Sequence, residues 1–156
     1  MKIEIKTKEQ HHNDLFFVCS LVEYIARKTK NDRGVIVNAL GEDTLTKLYN
    51  LADVYHCENI DKVSDELITE KHISRGNYDN ISGLTEVRIP THFDIGKVYE
   101  RLISTLSEEN ESANVIQILI EVFSSWIARK IDNYRSSTYY ENNSYLTASY
   151  RLGHIA

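Results

Sequence analysis

The feature that most constrains this chain is the spacing of its apolar residues between Val115 and Tyr134. Ile116, Leu119, Ile120, Phe123, Ile127, Ile131 and Tyr134 recur close to a period of 3.6, and Val115, Ile118, Val122 and Trp126 stand beside them. An apolar sector this wide describes a helix covered on most sides by other elements. A strand, whose side chains alternate between two faces, would send half of these residues into water. The segment is therefore expected to form one central helix, and the remainder of the chain must supply the elements that pack around it.

The remainder carries the same helical period. Leu15, Val18, Cys19, Val22, Ile25 and Ala26 line one face of a helix that a polar residue, Asn13 or Asp14, is placed to cap. A second helix is expected over Arg33 to Leu40, stopping at Gly41, and a third carries Leu45, Leu48, Tyr49, Ala52 and Tyr55. Asn59 is placed to cap a fourth with Ile60, Val63 and Leu67 on its inner face. Thr91-x-x-Asp94, directly after the single proline, Pro90, has the form of a capping box for a fifth that carries Ile95, Val98, Tyr99, Leu102, Ile103 and Leu106. A last short helix runs from about Ser144 to Leu152 and ends at Gly153. The expected fold class is mainly α, an orthogonal bundle of about six or seven helices, with at most a minor β hairpin from residues 1–6 and 84–89. It forms a single helical domain over 1–156, or divides into 9–71 and 91–153 joined by a long loop at 72–90. The segments Val54–Asn59 and Thr138–Asn143 follow the same order of features in the two parts, a weak echo of internal duplication.

Composition narrows the function classes. With 156 residues and 42% hydrophobic content, the chain builds a core without a metal or disulfide staple. A net charge of −5 argues against binding nucleic acid through phosphate neutralisation. The two cysteines, Cys19 and Cys57, are too few for a disulfide scaffold, and the alternately charged residues from Met1 to Gln10 are unlike a signal peptide. A cytoplasmic location is expected. The run Leu15–Val22, interrupted by Ser20, falls well short of the ~20 apolar residues that span a bilayer, so no membrane association is expected.

Signatures of common chemistry are missing. There is no glycine-rich phosphate loop, no Gly-x-Ser-x-Gly, no His-Glu-x-x-His and no Cys-x-x-Cys, so no cofactor and no metal is expected. His11-His12-Asn13-Asp14 holds several ligand types, but neighbours on a helix point about 100 degrees apart, which favours a solvated helix entry. Cys19 falls on an apolar face as a small core residue. His56 and Cys57 adjoin at the end of the third helix, and with Glu58 or Asp61 they form the alternative catalytic set, a nucleophile and base with an acidic neighbour. The acidic stretch Asp53, Glu58, Asp61 and Asp65 lacks the spacing and turn glycine of a calcium loop. Small helical RNases of bacterial conflict systems carry Arg-x(4–6)-His, whereas Arg88 to His92 and Arg151 to His154 are too closely spaced and interrupted by Pro90 or Gly153. The tyrosine-rich end supplies the candidate partner-binding residues, Tyr139, Tyr140, Tyr145 and Tyr150, because tyrosine offers large amphipathic area with few rotatable bonds.

Three segments, LFFVCSLVEYIARKTKND (15–32), LYNLADVYHCENIDKVSDELI (48–68) and IEVFSSWIARKIDNYRSSTYYENNSYLTASYRLG (120–153), resemble small helical proteins of Firmicutes and related gut bacteria. These are domain-of-unknown-function proteins often encoded beside ADP-ribosyltransferase-like or other toxin-like genes. The resemblance implies an accessory, antitoxin-like component of a bacterial operon and carries over no catalytic residue. The expected function is accordingly a non-enzymatic protein–protein interaction module. Its expected partner is another bacterial protein, toxin-like in character, with a homodimer as a further option. Two alternatives stand beside it: a small enzyme acting on a nucleotide or nucleic acid, and a helix-turn-helix DNA-binding regulator formed by residues 32–56.

Overall fold

A computed structural model of the chain describes residues 3, 5–78, 89–110, 112–134 and 138–156. The protein is mainly α-helical, and among the described residues there is no strand. The hairpin expected from residues 1–6 and 84–89 falls largely outside the described residues. The helices are α1 (Lys8–Thr29), α2 (Arg33–Asn50), α3 (Ala52–Tyr55), α4 (Ile60–Glu70), α5 (His92–Glu109), α6 (Val115–Phe123), α7 (Trp126–Asp132) and α8 (Asn143–Leu152), with a 3-10 turn at Thr138–Tyr140.

Local chemistry explains most boundaries. Asp32, Asn59, Thr91, Asn114 and Asn142 each accept a backbone amide of the helix they precede, and Thr91 with Asp94 closes the full capping box. Gly41, at φ 80° and ψ 164°, leaves the helical region while the chain resumes its helix at once. The expected stop is thus a kink within α2, at a backbone conformation that a side chain would strain.

Besides the kink at Gly41 and a break at Leu51 that divides the expected third helix between α2 and α3, two boundaries differ from the sequence expectation. First, α1 begins at Lys8, capped by Thr7 in a box with Gln10, several residues before Asn13. Second, the expected central helix is two helices, α6 and α7, broken at Ser124 and Ser125. The Ser125 hydroxyl donates to the Val122 carbonyl at 2.7 Å while its backbone takes an extended conformation. A serine that satisfies a helix carbonyl in this way offers the backbone an alternative to the next turn. The apolar period survives the break, since Ile116, Leu119, Phe123, Ile127 and Ile131 are all fully or almost fully buried.

One apolar core runs through both parts of the chain, from Leu15 and Ile25 on α1 through Ile36 and Leu45 on α2 to Ile95, Leu102 and Ile116. α1 packs most extensively along α5. Their approach is close because α5 presents Gly96 there: a Cβ at this position would lie 2.1 Å from the Ser20 hydroxyl and 3.0 Å from the Ser20 Cα.

Within this core lies Arg33, 1% exposed. Its Nε meets Glu23 Oε1 at 2.5 Å and its Nη2 meets Asp132 Oδ1 at 2.6 Å, so one guanidinium joins α2 to α1 and α7. Nη1 donates to the Tyr99 hydroxyl at 2.9 Å and to the Ala128 carbonyl at 3.3 Å, and Nη2 to the Tyr134 hydroxyl at 3.3 Å. Glu23 also accepts from Arg27 Nε at 2.7 Å, and Asp132 from the Tyr78 hydroxyl at 2.9 Å. Burial pushes the Asp132 carboxyl above its ordinary range, against the opposing pull of Arg33. The partners of Arg33 come from α1, α5 and α7 and from Tyr134 just after α7, so the guanidinium is engaged on several sides, the condition under which a buried ion pair is tolerated.

Arg33→Met keeps the length of the side chain but leaves Glu23 and Asp132 buried without their shared cation. It is expected to cost about 3–5 kcal/mol, read from urea unfolding. Gly96→Ala is expected to cost about 1–3 kcal/mol by forcing α5 away from Ser20. By contrast Ser20→Ala, which removes a buried hydroxyl with no hydrogen-bond partner among the described residues, is expected to leave stability unchanged or raised in the same assay.

Candidate functional site

The early start of α1 changes the setting of its two histidines. With Thr7 as the cap, His11 and His12 stand a full turn inside a helix whose neighbours are α2 and α5. Their side chains leave the axis about 100 degrees apart, and each meets a different wall. His11 Nδ1 lies 2.6 Å from the hydroxyl of Tyr49 on α2, and its Nε2 lies 3.3 Å from Ser104 Oγ on α5. His12 Nδ1 meets the Glu100 carboxylate and lies 3.3 Å from the same Ser104 hydroxyl. The two rings meet edge to face with centroids 5.3 Å apart. Lys6 closes the far side, its Nζ 2.5 Å from Asp14 Oδ2 and 2.6 Å from the Tyr49 carbonyl. Burial, with His12 beside it, holds the His11 imidazole below its ordinary pKa.

The cluster stands between two open cavities. One, of about 270 Å³, is lined by His12, Asn13, Phe16, Lys97 and Glu100. The other, of about 450 Å³, is lined by Ile3, His11, Tyr49 and the segment before α6. Glu100, 7% exposed, occupies the Nδ1 edge of His12 and leaves Nε2 on the opposite edge. A carboxylate behind an imidazole in this way fixes the orientation of the ring, with Nε2 on the edge away from Glu100.

Further along α1 the surface turns apolar. Phe16, Phe17, Ile60 and Phe93 line a groove of about 370 Å³ between α1, α4 and the start of α5, with Asn13, Ser20, His56 and Glu58 completing it. Phe93 is 53% exposed and lies 6.0 Å from Phe16, ring centre to ring centre. His92 lies between Phe93 and Tyr24, tilted on the first at 4.2 Å and edge to face with the second at 4.9 Å, and continues the aromatic strip. Its imidazole is held below its ordinary pKa by burial, and its Nε2 is buried without a hydrogen-bond partner among the described residues.

The alternative catalytic set is divided. His56 and Glu58 line the aromatic groove together, and Cys57 Sγ lies 3.6 Å from His56 Nδ1. Both side chains turn to the same backbone group: His56 Nδ1 is 3.0 Å and Cys57 Sγ 3.4 Å from the Asp53 carbonyl. Asp61 joins neither. The Tyr24 hydroxyl and Lys28, 3.2 Å away, hold it and keep its carboxyl below the ordinary range.

The tyrosines of the C-terminal end fall into different settings. Tyr139 packs edge to face on buried Tyr134 at 5.4 Å, while Tyr140 is 62% exposed and meets Tyr139 at 4.9 Å. These two line a cleft of about 140 Å³ with Pro90 and Asp94. The Tyr145 hydroxyl donates to the Ala156 carbonyl at 2.7 Å, and Tyr150 is half-buried against the core. The segment expected to form a helix-turn-helix, residues 32–56, runs as α2 with its kink at Gly41 and is interrupted at Leu51 before α3. Among the described residues no group of three or more His, Cys, Asp and Glu is placed to hold a metal ion. No described helix is long and apolar enough to cross a membrane.

The histidine cluster escaped the sequence because nothing local reports that α5 places Glu100 and Ser104 opposite His11 and His12. A capping box at Thr7-x-x-Gln10 was the available signal, since it moves both histidines into the helix. No protein-family model, curated protein or solved structure matches the chain.

The histidines also predict how stability depends on pH. In His11 and His92 the folded-state pKa lies below the ordinary value of 6.5, so between the two values the unfolded chain binds more protons. Stability is therefore fully present above that ordinary value and falls as the solution is acidified through it. The urea midpoint is expected to drop between about pH 7.5 and about pH 5.5, and His11→Gln to flatten the drop.

Proposed function

We propose that this protein is a non-enzymatic interaction module, and that its docking site is the aromatic groove between α1, α4 and α5. The observation that carries the proposal is Phe93, more than half exposed beside Phe16, Phe17 and Ile60. A phenylalanine in the open forgoes about 1.5–3 kcal/mol that burial would return, and contiguous apolar surface of this kind marks interaction sites. The groove is open and lined by side chains of three helices, a shape suited to an amphipathic helix with anchors one turn apart.

The rim sets the charge of the occupant. Glu58 lines the groove and Asp53 is exposed nearby on α3, and neither has an ion-pair partner among the described residues. The occupant is therefore an amphipathic helix of a partner protein that carries apolar anchors flanked by lysine or arginine. The resemblance to accessory proteins of toxin-like operons makes a toxin-like neighbour the first partner to try. A second copy of this chain is the competing occupant.

Phe93→Asp tests the proposal, because the side chain is exposed and the fold does not rest on it. Selection from a library of helical peptides is expected to return apolar residues at one-turn spacing with flanking basic residues. Phe93→Asp is expected to weaken the selected peptides at least tenfold, or about 1.4 kcal/mol, with unchanged circular dichroism. Tyr140→Ala is expected to leave binding intact. Concentration-dependent dimerisation abolished by Phe93→Asp would replace the partner helix with a second copy, and retention of peptide binding in that variant would overturn the groove.

A further inference from the structure

The cavity beside His12 carries a chemistry that the aromatic groove does not. Its polar wall is built by two helices: α1 supplies His12, and α5 supplies Glu100 and, one turn earlier, Lys97. Glu100 is almost fully buried and spends its carboxylate on the Nδ1 edge of the imidazole, with the Ser104 hydroxyl 3.3 Å from the same nitrogen. The orientation of the ring is thereby fixed from behind. The remaining edge has no partner among the described residues, and the His12 side chain is 35% exposed. Lys97 is exposed and has no ion pair among the described residues. Phe16, one turn after His12 on α1, also lines the cavity and borders the apolar groove.

Charge counting narrows the ligand. Lys97 is the one lysine or arginine among the residues that line the cavity, and Phe16 gives it an aromatic wall. A single negative charge completes the site, whereas a dianion would leave one charge unpaired beside the Glu100 carboxylate. The Lys97 ammonium is a donor, and Nε2 can share a carboxyl group's own proton with its second oxygen, so the pair is the complement of a carboxyl group. An apolar body attached to that group would lie against Phe16.

We propose that the cavity formed by His12, Lys97, Glu100 and Phe16 is a binding site for a small monocarboxylate with a flat apolar body. His12 and Lys97 hold the carboxylate, Glu100 positions the imidazole, and Phe16 takes the ring. The site adjoins the helix-docking groove and shares Asn13 and Phe16 with it, whereas His12, Lys97 and Glu100 line the cavity and not the groove.

The probe that tests it is 2-naphthoate, titrated into the full chain and followed by its fluorescence and by the imidazole nitrogen signals of His12. Saturable binding is expected, with the His12 signals shifting in step. Acetate, which lacks the body, and 2-naphthol, which lacks the carboxylate, are each expected to bind at least tenfold more weakly. Lys97→Met is expected to weaken 2-naphthoate at least fivefold and Lys97→Arg to restore most of it. Because Lys97 is exposed, both variants keep the fold, checked by thermal melting. Equal affinity for 2-naphthol, unchanged affinity in Lys97→Met, an unmoved His12 signal at saturation, or no binding of 2-naphthoate would each overturn the site.

Discussion

The structure depends on the guanidinium of Arg33. It lies where α1, α2, α5 and α7 come together, and each of its nitrogens is engaged by a different set of partners. Burying such a group without partners would be prohibitive, so its position demands that Glu23, Asp132, Tyr99 and Tyr134 arrive together. The aliphatic side chains fill space in many ways at similar energy, whereas the polar hub is satisfied in one arrangement. Apolar packing supplies most of the stability, and the hub selects which packing is adopted.

The break between α6 and α7 follows from the same demand. A continuous helix would carry its apolar stripe straight on from Phe123, but the turn at Ser124–Ser125 redirects α7 so that the Ala128 carbonyl and Asp132 face Arg33. Ring stacking of Tyr99 on Phe123, with centroids 4.3 Å apart, holds the adjoining end of α6 to α5. The chain thus exchanges helical hydrogen bonds at two serines for a closed polar network in the core.

α1 is the element through which the candidate sites are built. Its inner face enters the core from Leu15 to Ala26, and its close approach to α5 at Gly96 sets the register between the two helices. That register brings His11 and His12 to Ser104 and Glu100 at one end, and Phe16 to Phe93 further along. The histidines and the aromatic groove are therefore consequences of one helix–helix contact. Of the residues singled out from the sequence, His56 and Glu58 enter the groove while Asp61 is drawn off to Lys28 and Tyr24.

What the sequence determined by itself is local. The period of three and four identified the helical segments and most of their buried apolar residues, and Asn59, Thr91-x-x-Asp94 and Gly153 marked helix ends, because capping and periodicity act within a turn or two. The break at Ser124–Ser125 and the start at Thr7 were less legible, since the apolar period runs unchanged through the first and Asn13-Asp14 offers a competing cap for the second. Only the tertiary structure decided the sites. His12 and Glu100 are 88 residues apart, and Arg33 and Asp132 lie on helices from opposite ends of the chain. Their meeting depends on which helix faces pack together and at what register, a long-range outcome of burying apolar area and satisfying buried charge that no local pattern encodes.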